Sequence, residues 1–193
     1  VTAFGVSVIL LAVFVVIVML ARLFNHLVLV KNNVQRSWAD ISVLLRQRQD
    51  ELGKLIVVCR EHANFESGLL ERVTRARKLM DKELLHGDPV GVSQAERLLR
   101  RDLGQLIAVA EAHPTLGAEK SFRHLSRRIS ELENSIAERR VFYNATVEIH
   151  NNAIQSFPEL LLAGIFGFRA ARPLVFDGKN TDDVSVARHF AAD

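Results

Sequence analysis

Seven histidines, a single cysteine and 22 carboxylate side chains are the groups in this 193-residue chain that could hold a metal, attack a carbonyl or move a proton. The histidines are His26, His62, His86, His113, His124, His150 and His189. None falls in an HExxH pattern, and none has a second histidine or cysteine four residues on, the spacing that puts two such ligands on one helical face. Glu61 and His62 are adjacent, so a helix splays them apart, and Glu131 and Glu133 point to different helical faces rather than forming an acid–base pair. Cys59 sits on an apolar repeat, where a thiol reads as a small buried hydrophobe instead of a nucleophile. The glycines of Gly87-Asp88-Pro89-Val90-Gly91 lack the Lys-Ser/Thr of a phosphate loop, and Gly164 with Gly167 completes no motif. Asn144-Ala145-Thr146 matches a glycosylation sequon but falls mid-helix, on a side of the membrane that should be cytoplasmic. These residues predict no catalytic, cofactor-binding or metal site.

The elements around them explain why so much charge does so little chemistry. Lys+Arg 25 against Asp+Glu 22 leaves a net charge of +3, with the two signs interspersed along the chain. There is no basic stripe with stacking aromatics, so nucleic acid is not an expected partner. One cysteine excludes an internal disulfide and a multi-Cys metal site. Hydrophobic residues make up 49% alongside 24% charged ones, a combination that requires the apolar excess to be concentrated.

It is concentrated at residues 1–21, VTAFGVSVILLAVFVVIVMLA, which carries no charge before Arg22. At about 1.5 Å per residue this run reaches roughly 30 Å, the hydrocarbon thickness of a bilayer. No basic residue precedes it and Met19-Leu20-Ala21 is a poor cleavage site, so the run reads as a retained transmembrane helix and not a signal peptide. Arg22, Lys31 and Arg36 follow it, which by the positive-inside rule puts the remainder in the cytoplasm and the N-terminus outside.

No Gly or Pro separates this run from a second pattern. Val34, Trp38, Ile41, Leu45, Arg48, Leu52, Leu55 and Cys59 alternate by four and three, a coiled-coil-like seam, so membrane helix and first bundle helix should be continuous. Arg48 interrupts the seam and should either reach the edge or pair with a carboxylate on a facing helix. A second helix from about Glu66 to Leu85 ends at His86-Gly87-Asp88-Pro89, although the weak boundary at Asn64 to Gly68 leaves a single kinked rod open. Ser93 and Glu96 form a capping-box pattern for a third helix that stops at His113-Pro114. A fourth begins near Ala118 and repeats Phe122, Leu125, Ile129, Leu132, Ile136, Tyr143, Val147 and Ile154 before Pro158. The expected fold is all-α, an N-terminal transmembrane helix followed by an antiparallel up-and-down four-helix bundle. Its divisions are residues 1–21 for the span, 22–168 for the cytoplasmic bundle and 169–193 for a disordered tail without apolar period.

Two blocks, FNHLVLVKNNVQRSWADISVLLRQRQDELGKLI and RRVFYNATVEIHNNAIQSFPELLLAGIFGF, resemble the LemA family of bacterial membrane-anchored proteins. Matching positions include Asn25, Trp38, Arg48, Asp50, Tyr143, Asn144, Asn151, Pro158 and Gly167. The chain departs from the family pattern at Ser42, Gly53 and His150. The resemblance implies a single anchor, a cytoplasmic helical bundle and no established reaction. It makes Asn25, Trp38, Arg48, Tyr143, Asn144, Asn151 and Pro158 a structural signature.

Two function classes follow. The chain is expected to be a membrane-anchored scaffold or adaptor that binds other proteins at the inner face of the bacterial cell membrane; the alternative is a sensor or signal-relay subunit. A homo-oligomer is left open. The apolar segment FPELLLAGIFGF should sit at the membrane end of the bundle. There Leu160, Leu161, Ile165, Phe166 and Phe168 either close the bundle or contact membrane or partner.

Overall fold

The computed structural model describes residues 2–61 and 67–176. Among them the chain is all-α with six helices: α1 (Thr2–Glu61), α2 (Ser67–His86), α3 (Pro89–Glu111), α4 (Pro114–Gly117), α5 (Lys120–Gln155) and α6 (Glu159–Phe166). Helix α1 runs unbroken from the apolar run into the seam, as the absence of proline over that stretch allows. It is long and apolar enough to cross a membrane, and none of its most apolar window, of mean hydropathy 3.1, is buried. The boundary expected at Asn64 to Gly68 falls largely outside the described residues, but α1 and α2 are separate helices. Arg77 Nε on α2 donates to the Gln49 carbonyl of α1 at 2.9 Å, which requires the chain to fold back.

The chain forms two compact units. The first comprises Val1–Ile41 and Arg139–Arg172, that is, the start of α1, the end of α5 and all of α6. Its core is Leu27, Val30, Ala153, Ile154, Leu162 and Ala163, flanked by half-buried Leu23, Phe24 and Phe168. Further along, Trp38 and Tyr143 pack with ring centroids 5.6 Å apart. Trp38, expected on the buried seam, is only half-buried. The enclosed position belongs to Ser37, whose hydroxyl meets the Thr146 hydroxyl at 2.7 Å and is small enough for α1 and α5 to approach closely there. Gly167 ends α6 at φ 69°, a left-handed conformation that costs glycine little.

The second unit comprises Ser42–Glu138 and Pro173–Asp193. Here the seam positions Leu45, Arg48, Leu52, Leu55 and Cys59 reach zero exposure, while Val73, Met80, Leu99, Leu106 and Ile136 bury from α2, α3 and α5. The start of α3 differs from the capping box at Ser93 and Glu96. Asp88 caps the helix, its carboxylate accepting from the backbone N–H groups of Val90 (3.1 Å) and Gly91 (3.3 Å), with Pro89 at the first helical position. A proline there loses no hydrogen bond and presets φ, so Asp-Pro displaces the later start. Gly87, at φ 66°, makes the preceding turn.

Of the tail expected to be disordered, 169–193, the first eight residues are described. Residues 169–176 follow α6 as an extended segment in which Leu174 and Phe176 are each 1% exposed. Two apolar side chains without period cannot be recognised as core from sequence, yet burial of both offsets the cost of ordering the segment. The rest of the tail, 177–193, lies outside the described residues.

Candidate functional site

The polar groups nearest to chemistry are engaged in structure. In the second unit, Arg48 and Glu96 form a two-pronged ion pair with both side chains essentially without exposure. One prong, Arg48 Nη1 to Glu96 Oε1, measures 2.7 Å; the other joins Nη2 to Oε2. Glu133 approaches Arg48 at 3.8 Å, and Arg100 approaches Glu96 at 3.5 Å. Burial alone pushes the Glu96 carboxyl up, but the charges and hydrogen bonds of Arg48 and Arg100 outweigh it and hold the group below its ordinary range. Likewise burial pulls Arg48 down, and Glu96 with Glu133 raises it above its usual value. Both groups remain charged, which is the arrangement that makes a buried pair tolerable.

Cys59 is buried, and burial together with the Glu119 charge pushes its thiol up to about 11, opposite to what a nucleophile needs. Among the described residues no group of three His, Cys, Asp or Glu side chains could hold a metal ion.

In the first unit two signature residues, Asn151 and Tyr143, together with His150, hold the extended segment after α6. Asn151 Nδ2 donates to the Ala171 carbonyl at 3.0 Å, and the Ala171 N–H donates back to Asn151 Oδ1 at 2.9 Å. Tyr143 donates its hydroxyl to the Arg172 carbonyl at 2.8 Å, and His150 Nε2 donates to the Arg169 carbonyl at 3.0 Å. An extended segment without a neighbouring strand must find partners for its backbone groups, and these three α5 side chains supply them. Burial pushes the Tyr143 hydroxyl up to about 12, which keeps it a donor. Asn151→Ala should cost about 1–3 kcal/mol and Tyr143→Phe about 0.5–1.5 kcal/mol in denaturant unfolding. In the Asn151→Ala protein the Ala171 amide should also exchange with solvent faster; unchanged exchange would show that the clasp does not hold the segment.

The remaining signature residues scatter. Asn25 is exposed on α1, Asn144 is half-buried on α5, and Pro158 is half-buried where α6 begins. All three belong to the first unit. Sequence reasoning missed His150, Glu96 and the 169–176 segment as parts of these networks. Only Glu96 carried a usable signal, as an acidic residue in a helix facing a seam that contains Arg48.

The apolar segment divides by face. Leu162 and Ala163 are buried against α1 and α5, whereas Leu160 (50%), Leu161 (59%), Ile165 (76%) and Phe166 (58%) stay exposed. Phe166 packs on Phe24 with centroids 4.8 Å apart, and Phe168 lies 6.2 Å from Phe24 with Lys31 Nζ 5.7 Å above its ring. Glu159, at the start of α6, reaches His26 Nδ1 at 3.6 Å. The buried pair closes the core of this unit, so the four exposed side chains are surplus to that task.

Against known proteins, a family model described as the LemA family matches residues 37–187. Magnetosome protein MamQ 2 and magnetosome protein MamQ 1 of Paramagnetospirillum magneticum are each 26% identical over 186 residues, covering 83% of this chain and 68% of the relative. Magnetosome protein MamQ of Magnetospirillum gryphiswaldense is 25% identical over 171 residues, covering 76% of this chain and 62% of the relative.

Proposed function

The chain belongs to the LemA family, and from that premise we propose that it is a membrane-anchored helical scaffold that binds other proteins at the inner face of a bacterial cell membrane, without catalysing a reaction. The observation that carries this reading is α1, in which an apolar span and a packed helical seam are one unbroken helix. Such a helix ties whatever the folded part binds to the membrane. The engagement of Arg48, Glu96, Tyr143, His150 and Asn151 in structural pairs supports a binding role over catalysis. The basic residues Arg22, Lys31 and Arg36 after the span support a cytoplasmic domain. The relatives are named as proteins of the magnetosome, which supports a role in an assembled cellular structure.

Crosslinking of the full chain in native membranes, followed by affinity purification and mass spectrometry, tests the reading. A protein retained in fixed ratio is the expected result, and a reporter fused after Asp193 should be active only if it works in the cytoplasm. A chain that purifies alone, or a reporter active only outside, overturns the scaffold or its side of the membrane respectively. The unbroken α1 also favours a relay as second reading; its mark would be a partner whose retention changes with a stimulus.

A further inference from the structure

We infer that α6 is an interfacial helix, its exposed face of Leu160, Leu161, Ile165 and Phe166 seated in the lipid headgroup layer beside the point where α1 leaves the bilayer. The inference rests on the reading of residues 1–21 as a membrane span and goes beyond it, because a span by itself requires no second contact with lipid.

Position is the first argument. Phe24, three residues beyond Ala21, is the residue on which Phe166 packs. Three residues of helix advance about 4.5 Å. A bilayer of about 30 Å hydrocarbon and about 40–45 Å in total has a headgroup layer of roughly 5–7 Å on each side. The Phe24–Phe166 contact therefore holds α6 within the depth of that layer. No hinge intervenes, since Phe24 lies inside the continuous α1 and α6 is fixed to the same unit by buried Leu162 and Ala163.

Composition is the second. The outward face of α6 is apolar, and it continues the uncovered apolar surface of the span, where Ile17, Met19 and Leu20 are also exposed. A short helix that buries one face in protein and presents Leu, Ile and Phe on the other matches the way interfacial helices insert by a few ångströms. Exposed cationic side chains stand close to it at Arg22, two residues before Phe24, at Lys31, whose ammonium lies 5.7 Å above the Phe168 ring, and at Arg169, the residue after Phe168, while the nearby carboxylate of Glu159 faces His26. That surplus of positive charge fits the anionic headgroups of a cytoplasmic leaflet. The occupant of this face is thus the bilayer that α1 crosses, not a soluble protein.

The test uses the full chain with Trp38→Phe as background, reconstituted into vesicles containing phosphatidylglycerol and lipids brominated high on the acyl chain. Single tryptophans are placed by Leu20→Trp in the span, by Ile165→Trp and Phe166→Trp on α6, and by Val141→Trp on exposed α5. Bromine should quench both α6 tryptophans as strongly as Leu20→Trp and leave Val141→Trp at its emission in unbrominated vesicles. Quenching of Leu20→Trp without that of Ile165→Trp overturns the inference and leaves the anchor standing. Absence of quenching at Leu20→Trp removes the anchor and the inference together. Formation of a disulfide between copies by Ile165→Cys in the same vesicles overturns it in another way, by assigning the face to a second chain.

Discussion

Glu96→Ala is expected to lower the unfolding free energy by about 3–5 kcal/mol, because it leaves the Arg48 guanidinium buried without its main counter-charge. For a chain of this size that corresponds to a fall of about 6–20 °C in the melting midpoint, at about 2–4 °C per kcal/mol. Glu133 softens the loss without removing it, since it stands 3.8 Å from Arg48 and its side chain is 32% exposed. Replacing both partners by apolar residues, Arg48→Met with Glu96→Leu, should restore most of the stability, as removal of a whole buried pair is often neutral or stabilising. The pH dependence has a definite sign. The folded-state pKa of Glu96 is depressed, so its contribution is present above the ordinary carboxylate value of about 4.3 and is lost as pH falls through the lower folded value. Glu96→Gln should accordingly flatten the acid limb of the stability curve. Circular dichroism melts of the detergent-solubilised full chain measure both effects, and a Glu96→Ala midpoint equal to the wild type would mean that the pair contributes nothing.

Phe176→Ala should cost about 3–5 kcal/mol as a large aromatic truncated at a fully buried site. The Phe176 ring also lies 5.9 Å from the Arg100 guanidinium, and Arg100 in turn reaches Glu96. The two substitutions should therefore be non-additive, with a coupling of about 0.5–3 kcal/mol in a double-mutant cycle. Detachment of the segment should speed trypsin cleavage after Arg169 and Arg172, whose side chains are already exposed but whose carbonyls are held by His150 and Tyr143. Wild-type stability with a wild-type cleavage rate would place Phe176 outside the core.

Long periodic signals were legible and short non-periodic ones were not. The uncharged run and the seam from Ile41 to Cys59 each repeat for many residues, so the continuity of α1 follows from pattern alone. Arg48 stood out as a break in that seam, and its expected pairing with a facing carboxylate corresponds to Glu96. The partner itself could not be named, because Ser93-x-x-Glu96 satisfies the capping pattern equally well. Which role the glutamate takes depends on Asp88 and Pro89 starting the helix one turn earlier. The 169–176 segment was illegible for a different reason. Its hydrogen bonds come from Tyr143, His150 and Asn151, some 19 to 29 residues away, and from Ser93, which accepts the Val175 N–H across 82 residues. Nothing local records such pairings. For α6 the apolar content was visible, but its division into buried Leu162 and Ala163 and exposed Leu161 and Ile165 depends on where α1 and α5 stand.

That last pairing sets a timetable for biosynthesis. Ser93 and Val175 are separated by 82 residues, and at about 5–20 residues per second that stretch takes a ribosome roughly 4–16 s to make. Throughout that interval the place for Leu174 and Phe176 stands open, although α1 and α2 have already been made. The apolar run of α1, long and apolar enough to cross a membrane, is made earlier still, before the core of the second unit is complete. The last buried side chains of the second unit are thus made well after the apolar run of α1.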